Sequence, residues 1–429
     1  MAQLAILGGA PAIQAPLGKP WPIFGDLERK LLNEVLESGL WNRGRRDNPA
    51  DSMTGRFEDA FARFQDATHA LAVTNGTAAI ECALKAVDVE PGDEVIVPAA
   101  TFVATASAAV QVGGVPIFVD IDPRNYTIDP EAVEAAVTPQ TRAVAAVDLG
   151  GMPCDMDALN ELGRKHGIAI VSDCAHSHGS QWKGVGVGAL GDIGAFSFQM
   201  LKTLPTGEGG MVLTNRRDLA DKAYSYHSHG RILGRPFYEH HSPATNLRMT
   251  EWQAAIGLAQ LSRLEEQTRT REENAAHLMR GLQELDGVAP IWRDPRVTRW
   301  GFFFLFFRFL PDQWDGVNCW QFRRALNAEG VPCGIGHTLP LYRNPVYASM
   351  NFGRTGHPIK CPLYGKDIDY RKAMCPQTER IYATEACSLT HRLFLGPRSD
   401  MDRILDVIRK LRADQDELRQ VNPQPFAEQ

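Results

Sequence analysis

Lys202 closes the run Ser197-Phe198-Gln199-Met200-Leu201-Lys202 and stands just before Thr206-Gly207-Glu208-Gly209-Gly210. A lysine at a strand exit beside a glycine-rich turn can point into a cleft, where its amine can condense with an aldehyde. A solvated surface charge is the plainer reading of any lysine. Ser197 and Gln199, of the types that hydrogen-bond a phosphate, weigh against it here. Asn75-Gly76-Thr77-Ala78-Ala79 opens a helical pattern over 80–87. Backbone N–H groups at a helix N-terminus bind phosphate, and glycine lets the backbone come close. The same residues also read as a turn with an N-cap. In Ser172-Asp173-Cys174-Ala175-His176 an aspartate ends an apolar run. A buried carboxylate needs a partner, and a pyridinium nitrogen is one; a capping or loop role is the alternative. Phe102 reads equally as a ring stacked on a flat ligand and as a core side chain.

The elements that would position these groups alternate along the middle of the chain. Short apolar runs at 95–97, 116–120, 143–149 and 169–173 are separated by helical patterns such as 156–166. Continuous apolar strands between helices mean an α/β fold with a parallel sheet covered on both faces. Such sheets hold ligands at the carboxyl ends of their strands, which places Asp173 and the Thr101-Phe102 loop at the active edge. A further strand, Ala195-Phe196-Ser197-Phe198, runs into Lys202. Beyond it, 251–264 and 269–285 read as helices bridging to a second domain, with a strand at 302–309 and helices at 318–329 and 399–411. Residues 420–429, polar with two prolines, read as disordered.

The bulk composition agrees. A chain of 429 residues exceeds one typical core, so two domains are expected. With 44% hydrophobic and 22% charged residues it is an ordinary globular chain, and a net charge of -6 gives no footprint for nucleic acid or an anionic membrane. No apolar run approaches the roughly 18–20 residues of a membrane span, and the N-terminus lacks the pattern of a signal peptide. Eight scattered cysteines, without zinc spacing, fit reduced thiols in a cytoplasmic protein. His227, His229, His240 and His241 lie in a Gly/Pro-interrupted loop without carboxylate or cysteine at ligand spacing, so no metal is expected. Arg231 and Arg235 of that loop read as solvated, or as contacts for a substrate phosphate or carboxylate.

Together and in order, these pieces resemble the DegT-type, fold-type I pyridoxal-phosphate (PLP) aminotransferases that make amino sugars and aminocyclitols. The likeness runs from Gly8-Gly9-Ala10-Pro11 to the final helix. It rests on Asn75-Gly76-Thr77-Ala78-Ala79, Pro91-Gly92-Asp93-Glu94-Val95, Thr101-Phe102-Val103-Ala104-Thr105, the stretch 173–179, Phe196-Ser197-Phe198, Lys202, Gly207-Glu208-Gly209-Gly210 and Asn246-Leu247-Arg248-Met249-Thr250-Glu251. The resemblance implies an N-terminal arm (1–30), a large PLP-binding domain (31–270) with a mostly parallel sheet flanked by helices, and a smaller C-terminal α+β domain (271–429). It implies that Lys202 binds PLP and then shuttles the proton, and that Asp173 pairs with the pyridine nitrogen. Gly76, Thr77 and Ser197 would bind the phosphate with Gln199 nearby, Phe102 would stack on the ring, and His176 would lie close to the ring oxygen. Asn246 would reach the phosphate of a neighbouring subunit, which requires a homodimer. Trp41, His337 and Tyr342, the last two in His337-Thr338-Leu339-Pro340-Leu341-Tyr342, fall in regions that shape the substrate pocket in relatives. Asp148 and Gly150 stand where relatives often carry a histidine and an aromatic, and the loop after Lys202 departs locally at Thr206; these departures bear on the substrate more than on the cofactor.

The implied activity is transamination from glutamate or glutamine to a keto sugar or keto cyclitol. Leu7-Gly8-Gly9-Ala10-Pro11-Ala12 and Phe196-Ser197-Phe198-Gln199 resemble the branch that also holds 3-amino-5-hydroxybenzoate synthases, which dehydrate and aromatise a ring. Relatives that dehydrate deoxysugars carry histidine in place of the lysine. A non-catalytic regulatory relative is the third reading, against which the set Asp173, Ser197 and Lys202 weighs.

Overall fold

The computed structural model describes residues 3–43, 49–337 and 339–423. Its centre is a seven-stranded sheet in the order His69–Val73, Gly210–Thr214, Ile193–Ser197, Ala169–Asp173, Thr141–Val147, Glu94–Pro98, Val115–Val119. All neighbours pair in parallel except Gly210–Thr214, which is antiparallel to the strands on both its sides. The apolar runs form strands because both faces are covered. Val95, Val97, Ala143, Ala145 and Val171 pack into one core, and Ile96, Val144, Ala146 and Ile170 into another. Full burial of each such valine or isoleucine contributes about 1.5–3 kcal/mol.

The crossover helices carry their own start and stop chemistry. Met156–His166 begins where Asp155 Oδ1 accepts from Ala158 N (3.1 Å) and ends at Gly167, whose φ of 66° suits glycine. Its last turn holds Arg164, Lys165 and His166, which oppose the negative end of the helix. The two helical stretches expected over 251–285 form one helix, Glu251–Gln283, opened by a reciprocal Thr250/Gln253 cap. It packs against Asp26–Ser38 and Met53–Phe64 at one end and Arg398–Ala413 at the other, so it spans both halves of the molecule.

The C-terminal half holds an antiparallel sheet of Val288–Pro290, Phe304–Phe309 and Ala386–Thr390, with Cys319–Ala328 and Arg398–Ala413 packed beside it. The N-terminal arm docks there. Buried Glu329 accepts from Ala5 N and Ala12 N (2.9 Å each), and Asp400 Oδ2 accepts from Gly18 N (2.9 Å). Residues 341–375 cross back to the large sheet: Tyr370 donates to Pro116 O (2.9 Å) on the edge strand, and Tyr364 and Lys366 bind Glu94. That strap shields a sheet edge that would otherwise offer open backbone groups. Of the tail expected to be disordered, residues 424–429 lie outside the described residues. Val421 is buried and its carbonyl accepts from Gln321 Nε2 (2.8 Å), which orders the chain that far. Thr338 likewise lies outside the described residues. Among those described, no helix is long and apolar enough to cross a membrane. The eight cysteines are free thiols, all buried except the half-buried Cys361.

Candidate active site

The carboxyl ends of the parallel strands open onto a cavity of about 780 Å³. Its wall brings together Gly76, Thr77, Phe102, Asp173, His176, Ser197, Gln199, Lys202 and His337. Nine candidates drawn from positions 76 to 337 therefore share one space.

Lys202 reaches it through a loop locked to the glycine-rich turn. Phe198 N donates to Gly209 O, Met200 N to Gly207 O and Lys202 N to Gln199 O, each at 2.8 Å. Gly207, with φ 90°, supplies the left-handed residue this pairing needs. Lys202 Nζ stands 4.4 Å from the centre of the Phe303 ring. Burial lowers its pKa to about 8, with the charge of Asp173 opposing. Asp173, at its strand end, is buried. Its Oδ2 accepts from Thr105 Oγ1 (2.8 Å) and its Oδ1 from Ala175 N (3.2 Å). Burial pushes this carboxyl up, while the two hydrogen bonds and Lys202 pull it down.

The helix Gly76–Ala86 points its N-terminus at the cavity, and Asn75 Oδ1 caps it at Ala78 N (2.9 Å). Ser197 lies against that terminus: a Cβ on Gly76 would sit 2.5 Å from Ser197 Cβ. Only glycine fits, and the N–H groups and the Ser197 hydroxyl form a place for an anion. His178, which the sequence did not single out, holds Ser197 from behind. Its Nε2 donates to Ser197 O (2.7 Å) and its Nδ1 accepts from Thr203 Oγ1 (3.0 Å). Gln199 Oε1 accepts from Leu201 N (2.8 Å), so its carbonyl serves the loop.

His176 stacks on Phe303 with centroids 4.2 Å apart, and its Nδ1 accepts from Gly150 N (3.3 Å). Burial and then the charge of Lys202 hold it far below the usual histidine range. His337 is brought to about 4 by the same two causes. Its Nε2 is buried with no partner among the described residues. Both imidazoles are therefore neutral near pH 7. Phe102 is 58% exposed and faces His337 at 6.1 Å, so it is a cavity side chain and not a core one. Asp148 does not line the cavity: it is buried against Cys154 N (3.0 Å) and Ser177 Oγ (2.8 Å). Gly150, with φ 66°, serves the site through His176.

Tyr342, Trp41 and Asn246 do not line this chain's cavity, and Asn246 was expected at the site of a neighbouring subunit. Tyr342 is fully buried; it donates to Glu379 Oε1 (2.6 Å), accepts from Cys375 N (3.0 Å) and packs by Phe118 in the strap over the edge strand. That packing keeps it off the wall of this chain's cavity. Trp41 is exposed, tilted against Trp252, and Asn246 is exposed and bridges to Ser228; neither lines this chain's cavity. Arg231 is used locally, donating to Phe237 O (2.9 Å). Thr105 and Phe303 were missed. Thr105 carries no local signal, and Phe303 sits in a phenylalanine run that reads as core. Among the described residues no cluster of His, Cys, Asp or Glu has the form of a metal site.

A model of the DegT/DnrJ/EryC1/StrS aminotransferase family matches residues 22–409. The chain belongs to this family. It is 34% identical to the L-glutamine:2-deoxy-scyllo-inosose aminotransferase of Streptoalloteichus tenebrarius, over 97% of this chain and 99% of that protein. Among solved structures, 3-amino-5-hydroxybenzoic acid synthase is 34% identical, with a TM-score of 0.80 over 95% of this chain and all of that one. DesV of S. venezuelae, solved in complex with a ketimine intermediate, is 29% identical with a TM-score of 0.76, covering 93% and 99%. As a member of the DegT/DnrJ/EryC1/StrS family the chain is a transaminase with the fold-type I architecture.

Proposed function

We propose that this enzyme is a PLP-dependent homodimer that moves an amino group from glutamine or glutamate to the ketone of a cyclitol or sugar. The carrying observation is the Lys202 amine and the Asp173 carboxylate sharing one cavity with the Gly76 helix terminus and Ser197. The residues present fit the cofactor. Gly76, Thr77 and Ser197 would hold its phosphate against the positive end of the helix, with Gln199 nearby. Asp173, kept acceptor-ready by Thr105 and Ala175 N, would meet a protonated ring nitrogen. Phe102 would cover a ring face, and His176 would lie by the ring oxygen. When bound, PLP supplies an electron sink that acidifies the hydrogen on the amine-bearing carbon.

The rest is this chain's own work. Lys202, held by burial near pKa 8, is the base that takes the proton from the donor carbon and the acid that returns it. His337 Nε2 and His176, both neutral, offer hydrogen bonds to ring hydroxyls without adding charge. The glutamine donor and cyclitol ketone are supported by the name of the Streptoalloteichus relative. The test is product analysis with glutamine and 2-deoxy-scyllo-inosose, alongside an amino-cyclohexenone. An amino cyclitol supports the reading; an aromatic product from the cyclohexenone would move it to the hydroxybenzoate synthase reaction. A protein that takes up no PLP and stays colourless would leave only a regulatory role.

A further inference from the structure

Arg271 lies within the helix Glu251–Gln283 and is fully buried. No carboxylate pairs with it among the described residues. Its one hydrogen bond runs from Nη2 to Gln267 Oε1 (3.3 Å), while Nε and Nη1 have no partner there. A buried charge in that state is unfavourable, and an apolar residue of similar volume is often neutral or better for stability. The surroundings indicate what the charge does. Its Cζ lies 5.4 Å from the centre of the Trp21 ring. Trp21 meets His391 edge to face, with centroids 4.6 Å apart.

Both rings hold the same loop. Trp21 Nε1 donates to Met200 O (3.0 Å), and His391 Nε2 donates to Leu201 O (3.0 Å). A carbonyl only accepts, so the His391 proton is on Nε2 and, in the neutral ring, Nδ1 is an acceptor. Burial and then the charge of Arg271 hold His391 far below its usual value, which keeps it neutral. Nδ1 is itself buried and without a partner among the described residues, as is the hydroxyl of Thr268 one turn before Arg271. Two donor atoms of Arg271 and one acceptor of His391, each without a partner among the described residues, thus belong to side chains that lie against the same Trp21 ring.

We propose that Arg271 is a positioning residue for Lys202: it orders Trp21 and His391, whose N–H groups hold the carbonyls of Met200 and Leu201 just before the reactive amine. The proposal rests on Lys202 being that amine. A displacement of about 1 Å at a reacting group can cost on the order of 10²-fold in rate, so a held loop matters.

The experiment compares Arg271→Met and Arg271→Lys holoenzyme with the unaltered protein by thermal melting, by amide hydrogen exchange at 199–203, and by kcat and KM for the donor half-reaction. Arg271→Met is expected to melt within a few degrees of the original while the loop amides exchange roughly tenfold faster. Its kcat should fall about 10- to 100-fold with KM little changed, and Arg271→Lys should recover much of both losses. In a His391→Phe background, Arg271→Met should add less loss than in the unaltered protein, because only the Trp21 anchor is left for Arg271 to order. Should the methionine variant not fold, Arg271→Gln takes its place with the same expected pattern. Unchanged exchange would overturn the network, and faster exchange with unchanged kcat would overturn the positioning role. If Lys202 is not the reactive amine, Lys202→Ala keeps the visible cofactor band and the donor half-reaction, whereas the exchange result on the Arg271 variants stands independently.

Discussion

At the level of single residues, the depressed pKa of Lys202 has a measurable sign. Burial disfavours the ammonium form, so the neutral amine becomes the major species above about pH 8. Below that value the neutral fraction falls about tenfold per pH unit. The rate at which cofactor-free protein captures added PLP should climb with that slope from about pH 6 to 8 and then level, as followed by stopped-flow absorbance. A profile still climbing at about pH 10 would mean that the amine keeps an ordinary lysine value. Lys202→Ala should abolish the visible band and lower turnover at least about 10²- to 10⁴-fold, the usual weight of a positioned acid–base group. His337 makes a separate prediction. The residue lines the cavity and its buried Nε2 has no partner among the described residues, so His337→Phe should raise KM for the ketone acceptor about tenfold, roughly one hydrogen bond. The donor half-reaction should change much less; an equal effect on both would place His337 on the cofactor.

At the level of elements, the terminus of Gly76–Ala86 and the end of Ile193–Ser197 touch so closely that the anion site depends on one hydrogen atom. Gly76→Ala would put a Cβ 2.5 Å from Ser197 Cβ, and one of the two elements must shift. PLP affinity, measured by equilibrium dialysis, should fall sharply. Asn75→Ala removes the cap at Ala78 N and should cost about 1 kcal/mol in stability, with a smaller loss of affinity. If alanine at 76 binds PLP as well as glycine does, the phosphate lies elsewhere along the cavity wall. The antiparallel strand Gly210–Thr214 has the matching role on the other side. Its leading turn pairs with the loop of Lys202, so the sheet itself fixes where the loop leaves.

At the level of the whole molecule, exposed side chains bear on assembly. Trp41 and Asn246 do not line the cavity of their own chain, and Leu36, Leu40, Met200 and Leu201 are also exposed. Burying such apolar surface between two copies is the ordinary route to a dimer. If Asn246 serves the phosphate of a second subunit, two defective enzymes can complement each other. Lys202→Ala homodimers and Asn246→Ala homodimers should each be weak. Unfolded and refolded together in equal amounts, they should recover roughly a quarter of the sites, because half the dimers are mixed and each mixed dimer has one intact site. No recovery in a preparation shown to contain mixed dimers would place Asn246 outside the site.

The placement that depends on chain-local geometry was readable in the sequence. Lys202, Asp173, Ser197 and Gly76 lie at strand exits and a helix start, where residue type and a few neighbours decide the direction of a side chain. The strands over 94–98 and 169–173, the helix Met156–His166 and the parallel character of the sheet followed from apolar runs and caps for the same reason. Contacts between distant segments were not readable. Thr105 holds Asp173 across 68 positions, and Phe303 lies under Lys202 from just before the strand Phe304–Phe309 in the other half of the molecule. Neither residue type announces such a partner. Phe102 was open to two readings and Tyr342 was named only for its region of the chain; packing decided the exposure of each, the strap over the edge strand burying the tyrosine and the cavity leaving the phenylalanine exposed. Arg271 makes the same point from inside a stretch, 269–285, whose pattern reads as a polar helix bridging to a second domain. A helical period gives the spacing of the faces, but only the arm, the turn at His178 and the segment of His391, closing over that face together, turn its charge inward beneath the loop of Lys202.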